Sequence, residues 1–326
     1  MRRRKFLGVL GGAAIAWPLA VRAQQPPIPV IGYFSGRSSD TEVAIREPFL
    51  RALQEGGFVR GKNVALEYRF AEGRDNQLPV LAADLVRRQV SLLVATDRPA
   101  ALAAKSATST IPIVFTSGDD PVRIGLVSSL TNPGGNATGV YVFTTQLGPK
   151  RLGLIRQLLP KPGLIAFVVN PNNDASAQQV KEMQAVAEQL GQPLLVLQAG
   201  TEGEADEAFA TMTREKVSAV LYGTTLFYQV ISARLVALAA RYKIPACYEW
   251  RDPVVAGGLM SYNTNRDELG RQIGSYAAQI LKGAEPAALP VVQSSSFVFV
   301  INLKTAKALG LSIPSGVLAI ADEVIE

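Results

Sequence analysis

Val30-Ile31-Gly32-Tyr33-Phe34 is a short run of mostly apolar residues, and a helical pattern follows it. The predicted helix runs from about Ile45 to Glu55 with its apolar side chains on one face, and Gly56-Gly57 closes it. Val64 to Phe70 then alternates apolar and polar residues, as a second strand does. A strand, a helix and a second strand in this order are typical of a parallel α/β sheet.

The same alternation continues to the end of the chain in two similar series, and the turn cluster at 131–136 lies late in the first. Further predicted strands are Leu92 to Ala95, Ile113 to Phe115, Ala137 to Phe143, Leu164 to Val169, Leu194 to Leu197 and Ala219 to Tyr222. The predicted helices of the second series are Ala175 to Leu190, Ala205 to Arg214 and about Phe227 to Arg241. The sequence therefore predicts two α/β halves.

The first 23 residues read as a cleaved export signal. Arg3-Arg4-Lys5-Phe6-Leu7 is a twin-arginine pattern, Leu10 to Ala20 is apolar and uncharged, and Val21-Arg22-Ala23 precedes a candidate cut. The uncharged run from Phe6 to Val21 is too short for a membrane anchor. Either the twin-arginine or the general secretory route fits. The mature chain, of about 300 residues, is expected to begin near Gln24 and suits two domains.

The leader also holds most of the excess positive charge. Five basic residues and no acids lie in it, so the net charge of +6 minus 5 leaves +1 for the mature chain. A nearly neutral chain gives little basis for nucleic acid as a partner. No cysteine stands near the cut, so we expect no lipid anchor and a periplasmic product, free in its compartment.

The composition removes several kinds of catalytic site. The chain contains no histidine, and Cys247 is its only cysteine, in an apolar run where a buried thiol is favoured over a reactive one. Ser-His-Asp and Cys-His catalysis, a histidine-ligated metal and an intramolecular disulfide are therefore excluded. A carboxylate hydrolase or a Ser-Lys nucleophile survives, but no paired motif for either occurs. We expect no enzyme activity, no catalytic residues, no metal and no cofactor.

Polar residues crowd the loops after the predicted strands. Strand ends in a parallel sheet border the crevice where ligands bind. Each such residue also has a second interpretation as the cap of the helix that follows, and both roles can coexist at one helix N-terminus. These loops are Ser35 to Ser39, Thr96 to Pro99, Thr116 to Pro121, Asn170 to Asp174, Gly223 to Thr225 and Glu249 to Asp252.

Several motifs together resemble one family, the ABC-transporter substrate-binding proteins of the tryptophan/tyrosine-binding type. The resemblance spans the mature chain, and its motifs specify the fold better than the ligand. Besides the leader, it rests on Val30-Ile31-Gly32-Tyr33, Ala82 to Val86, Ile111 to Thr116, Asn132 to Gly139 and Ile301 to Gly310.

This resemblance implies a type I periplasmic binding fold with two doubly wound parallel-sheet lobes and a three-crossing hinge. Lobe 1 would comprise residues 28–143 plus 264–290, and lobe 2 residues 144–263 plus 291–326. The crossings would lie near Phe143-Thr144, Ser261-Tyr262-Asn263 and Pro290 to Gln293. The helix from Arg266 to Leu281 would return to lobe 1.

The resemblance also implies a binding site between the lobes. A ligand carboxylate would meet Thr96, Thr116 and Ser117, and Asp119 or Glu249 would pair with an amine. Asp97-Arg98 departs from the small residues expected there, which puts an ordinary amino-acid ligand in doubt. The implied ligand-binding residues are Ser35, Thr96, Asp97, Thr116, Ser117, Gly118, Asp119 and Phe143 in lobe 1 with Asn170, Thr224, Phe227 and Glu249 in lobe 2.

The function implied is that of the periplasmic binding component of an ABC importer. It would capture a small organic solute, an amino acid or a related aromatic or carboxylate compound, and deliver it to a permease in the inner membrane. A monomer is expected. The alternative is a ligand sensor that signals to a membrane receptor.

Overall fold

The computed structural model describes residues 28–142, 147–161 and 163–326. The predicted leader and the predicted crossing at Phe143-Thr144 lie outside these residues. Two mostly parallel sheets, each with helices on both faces, form the described chain, which confirms the predicted α/β class. None of the described helices is both long and apolar enough to cross a membrane.

The first sheet has six strands in the order β11-β5-β4-β3-β1-β2, all parallel to their neighbours. The helices of this lobe are α1 (Ser39–Glu55), α2 (Leu78–Arg87), α3 (Arg98–Ala107) and α10 (Arg266–Leu281). Its strands are β1 (Val30–Ser35), β2 (Ala65–Phe70), β3 (Leu92–Ala95), β4 (Ile113–Ser117), β5 (Ala137–Tyr141) and β11 (Val292–Gln293).

The second sheet has seven strands in the order β13-β12-β10-β9-β8-β6-β7, and only the β10–β12 pair is antiparallel among them. Its strands are β6 (Ile165–Val169), β7 (Leu194–Gln198), β8 (Ala219–Tyr222), β9 (Ala246–Tyr248), β10 (Met260–Thr264), β12 (Phe297–Asn302) and β13 (Glu323–Ile325). Its helices are α4 (Gly148–Leu158), α5 (Ser176–Gln189), α6 (Glu202–Arg214), α7 (Leu226–Val230), α8 (Ser232–Tyr242), α9 (Arg251–Val255), α11 (Leu303–Ala308) and α12 (Ser315–Leu318).

Each sheet separates two apolar cores because side chains alternate across a strand. In β3, Leu92 and Val94 enter the core under α1 and α10, whereas Leu93 and Ala95 enter the core under α2 and α3. Such strands are buried on both faces, which is why they appear in the sequence as continuous apolar runs.

Helix α10 packs closely on α1 and so belongs to the first lobe. A Cβ at Gly270 would lie 2.4 Å from the Ile45 carbonyl oxygen, and one at Gly274 would lie 2.4 Å from that of Phe49. The chain changes from one sheet to the other between β5 and α4, between β10 and α10, and between β11 and β12. Residues 261–263, predicted as a crossing, lie within β10, and β11 belongs to the first sheet although the predicted second lobe begins at residue 291.

The segment from Phe227 to Arg241, predicted as one helix, forms α7 and α8 with a break at Ile231. Tyr228 in α7 donates a hydrogen bond from its hydroxyl to the Ala199 carbonyl oxygen at 2.8 Å. This contact with the segment after β7 orients α7 separately from α8, so tertiary structure overrides the helical pattern.

Candidate functional site

A cavity of about 500 Å³ lies where the carboxyl ends of the two sheets face each other. In the first sheet it borders β1 and β3, and in the second it borders β6 and β8. Both places are switch points, where the strand order reverses and a crevice opens between the loops. The fold therefore brings strand-end loops of both lobes to one site.

The predicted site residues that the structure describes fall into two groups. Ser35, Thr96 and Ser117 are buried and do not line the cavity, and Phe143 lies outside the described residues. The predicted residues on the cavity wall are Asp97, Thr116, Gly118, Asp119, Asn170, Thr224, Phe227 and Glu249.

The Ser35 side chain is buried within the first lobe, where it contacts Asp97. The Ser35 hydroxyl oxygen lies 2.7 Å from Asp97 Oδ2 and 3.1 Å from Glu42 Oε2. Asp97 also accepts hydrogen bonds from the backbone N–H groups of Gly36 at 2.7 Å and Ala100 at 2.9 Å. Asp97 is thus the N-cap of α3 and a wall residue at once.

Ser117 is held by the turn in which it lies. Its hydroxyl donates to the Asp119 carbonyl oxygen at 2.7 Å and accepts from the Asp119 N–H at 3.1 Å. The Asp119 carboxylate is 3.4 Å from Arg98 Nε and 3.6 Å from Arg123 Nη2. Asp119, predicted as a partner for an amine, therefore already faces two guanidinium groups.

The loops of the second lobe are fixed by side-chain to backbone hydrogen bonds. Asn170 Oδ1 accepts from the Asn172 N–H at 2.9 Å, and Asn173 Nδ2 donates to the Thr224 carbonyl oxygen at 2.9 Å. Gln179 both accepts from the Thr224 N–H at 2.7 Å and donates to its carbonyl oxygen at 3.1 Å. These contacts join the ends of β6 and β8 into one preorganised wall.

Arg37 is a buried cation on the first lobe's wall, and it was not among the predicted site residues. Its Nη1 lies 3.3 Å from Glu42 Oε2 and donates to the Thr96 carbonyl oxygen at 2.7 Å. Burial acts to lower the pKa of Arg37, but Glu42 and Asp97 outweigh it and leave that pKa raised. Arg37 is therefore charged at neutral pH.

Gln229, a residue of the cavity wall, is a point of contact between the lobes. Its Oε1 accepts from Arg37 Nε at 3.0 Å and lies 3.5 Å from Arg266 Nη2. The Arg266 guanidinium lies 3.8 Å from the centre of the Trp250 ring and donates to Asp252 at 2.7 Å. Burial lowers the pKa of Arg266 to about 10, against the attraction of Asp252. Two first-lobe cations thus contact second-lobe groups.

Two more carboxyl groups of the wall have raised pKa values. Burial raises the pKa of Glu249, with Arg151, Arg266 and Arg37 opposing it. Burial and then the nearby Asp97 raise the pKa of Asp75 to about 6, with Arg37 opposing. The arginines around the cavity therefore favour the ionised form of both carboxyl groups, against the effect of burial.

Some wall residues could not be found from the sequence alone. Arg37 and Trp250 lie in loops that the strand pattern did predict. Asp75 and Gln229 also line the cavity, but they lie outside all of the predicted strand-end loops. Cys247, predicted as a buried thiol, is buried, and burial raises its pKa to about 12. Among the described residues, no group of three or more Cys, Asp or Glu side chains could hold a metal ion.

A cavity closed from two sides by strand-end loops of two α/β lobes defines a two-lobed solute-binding protein. The chain belongs to the ABC transporter substrate-binding protein family, whose model matches residues 30–325. The role of this family is binding and not catalysis, which confirms the expectation of a non-enzyme. The match to the family model also confirms the resemblance inferred from the sequence motifs.

Relatives of known structure or ligand are consistent with membership of this family. A tyrosine-binding protein of Clostridioides difficile is 29% identical over 82% of this chain and 76% of its own length. A solved ABC domain from Streptococcus pneumonia, in complex with L-Trp, is 29% identical over 91% of this chain and 99% of that one, with a TM-score of 0.81. The ligand-free, open structure of a substrate-binding protein from Clostridium difficile is 27% identical over 91% of this chain and 99% of that one, with a TM-score of 0.70.

Proposed function

We propose that this protein is the exported binding component of an ABC importer and that it captures an aromatic amino acid, or a close relative of one, between its two lobes. Residues 1–23 would be removed, and the mature chain would act as a monomer in the periplasm. The loaded protein would then deliver its ligand to a permease in the inner membrane.

The observation that carries this proposal is the mixed character of a cavity walled by both lobes. Phe227 and Trp250 offer aromatic surface, Leu226 and Leu102 add apolar contacts, and polar loops from β4, β6 and β8 surround them. A cavity of about 500 Å³ with this lining suits a small molecule that has both an aromatic ring and polar groups. Relatives whose ligands are tyrosine and L-Trp support the same class.

The two-lobed arrangement supports capture by closure. Contacts that form only when the lobes meet make the closed state depend on what lies between them. The predicted ranges, 28–143 plus 264–290 and 144–263 plus 291–326, remain our proposal for the lobes. Because β11 pairs with β5, we place the last boundary after Gln293.

A thermal-shift and calorimetry screen tests the proposal. The protein starting at Gln24 should be stabilised by L-tyrosine or L-tryptophan, by about 2.7 kcal/mol at 100 times the dissociation constant. Phe227→Ala should weaken binding, whereas Phe58→Ala should not because Phe58 does not line the cavity. If no amino acid stabilises or binds the protein, the proposed ligand class is wrong.

Import needs a separate test in cells. A strain that lacks this protein should accumulate the labelled ligand more slowly than its parent, and the wild-type gene should restore uptake. Unchanged uptake, with no second binding protein for the ligand present, would contradict the importer role.

A further inference from the structure

The ligand cavity adjoins a second pocket of about 280 Å³ that also lies between the lobes. Arg98, Asp119, Asp174, Ala175 and Gln179 line both, so they form the junction. Arg98 and Asp119 come from the first lobe, whereas Asp174 comes from the loop after β6 in the second. A cation and an anion therefore stand on opposite lobes at one place in the cleft.

Arg98 has guanidinium N–H donors that form no ion pair with the other described residues. Its side chain is 29% exposed, and its one ion pair among the described residues is to Asp119, at 3.4 Å from Nε. Asp119 is shared with Arg123, so one carboxylate faces two guanidinium groups. Arg37, the other arginine of the cavity wall, already uses Nε and Nη1 for contacts with Gln229, Glu42 and Thr96. Arg98 is therefore the wall cation best placed to receive a ligand anion.

Asp174 is the corresponding anion on the second lobe. Its residue is exposed, and within residues 28–142, 147–161 and 163–326 it has no ion pair or hydrogen bond. The other wall carboxylates are supported. Asp97 accepts three hydrogen bonds, and both Asp75 and Glu249 lie in the field of Arg37.

We propose that Arg98 and Asp174 hold the two charges of a zwitterionic head group, with the ligand carboxylate on Arg98 and its ammonium on Asp174. The ring of the ligand would then lie toward Phe227 and Trp250. Arg98 and Asp174 line the same junction and, among the described residues, form no ion pair with each other, so both charges are available to a molecule that carries an anion and a cation. This inference rests on the proposed function and narrows its ligand to free amino acids.

In this arrangement, selectivity for the ligand depends on both of its charges, because each is bound by a different lobe. A ligand without the carboxylate leaves Arg98 uncompensated, and one without the amine leaves Asp174 uncompensated. A charged hydrogen-bonded contact contributes about 1.5–3 kcal/mol, so either loss should weaken binding about tenfold or more.

The test deletes one charge at a time from the ligand and from the protein. Calorimetry would compare L-tyrosine with tyramine, which lacks the carboxylate, and hydroxyphenylpropionate, which lacks the amine. If L-tryptophan binds more tightly, tryptamine and indolepropionate replace them. The variants are Arg98→Gln and Asp174→Asn. The matched controls are Arg87→Gln, at an exposed position of α2, and Glu182→Gln, which lines the second pocket but not the ligand cavity.

We expect the wild-type protein to bind the amino acid about tenfold or more tightly than either analogue. Arg98→Gln should weaken binding of the amino acid but not of the amine, and Asp174→Asn should weaken binding of the amino acid but not of the acid. Equal binding of all three by the wild-type protein, or a variant that weakens all three equally, overturns the assignment while the binding role stands. Failure of every amino acid to bind overturns the proposed ligand class and this assignment with it.

Discussion

Arg37 Nε donates a hydrogen bond to Gln229 Oε1 at 3.0 Å, and these two residues belong to different lobes. They are separated by 192 positions in the chain. Arg266 approaches the same oxygen, from the start of the helix that packs on the first lobe. Gln229 is therefore a point at which side chains of the two lobes contact each other directly.

Replacing Gln229 by alanine should favour the open form and weaken ligand binding about tenfold. The physical reason is that a hydrogen bond to a charged group contributes about 1.5–3 kcal/mol and is present only when the lobes meet. Calorimetry gives the affinity, and small-angle scattering of the ligand-free protein should show a larger radius of gyration. Gln184→Ala, at an exposed position of α5, is the control and should change neither.

Glu42 should be critical for the stability of the first lobe. It is fully buried and contacts Tyr33 OH at 2.8 Å, the Ser35 hydroxyl and Arg37. Glu42→Gln leaves the Arg37 charge buried without its partner, which should cost about 3–5 kcal/mol in urea unfolding. Glu47→Gln removes an exposed partner of Arg46 and should cost less than about 1 kcal/mol. Equal effects of the two variants would contradict this account.

Gly139 should tolerate no side chain. It lies opposite Phe115 in the β4–β5 pair, and a Cβ there would be 2.0 Å from the Phe115 carbonyl oxygen. Gly139→Ala should therefore destabilise the protein by about 3 kcal/mol or more in thermal or urea unfolding. Gly153→Ala, in α4 with open space around the added methyl group, should be neutral or stabilising by up to about 1 kcal/mol.

Asp75 should make stability fall as the pH rises through about 6. Its pKa in the folded protein is about 6, above the value of about 4 in an unfolded chain. Between these values the folded state holds a proton that the unfolded state has released, so raising the pH destabilises the fold. Asp75→Asn should be more stable than wild type at pH 7.5 and equal to it at about pH 4. The difference should stay below about 1 kcal/mol because the carboxyl group is only partly desolvated and water screens its charge. A difference that does not change with pH would refute this assignment.

The sequence predicts the strands well because buried strands of a parallel sheet are continuous apolar runs. Ala219–Tyr222 and Ile165–Val169 lie within a residue of their predicted bounds. It also predicts that polar loops at strand ends face the cleft. It could not predict which way each polar side chain turns, since Ser35 meets Asp97 across 62 positions of sequence. Nor could it find Gln229, which appears as an ordinary helix residue until Arg37 and Arg266 are placed beside it.

Trp250 offers the most direct measurement of the central claim, which is that the ligand binds between the lobes. The chain has two tryptophans, and the other, Trp17, lies in the predicted leader, so a protein that starts at Gln24 reports from the cavity wall alone. Titration with L-tyrosine, with light that excites only tryptophan, should give a saturable change in emission at one ligand per chain. Unchanged emission while calorimetry detects bound amino acid would place the ligand outside the cleft and contradict the account.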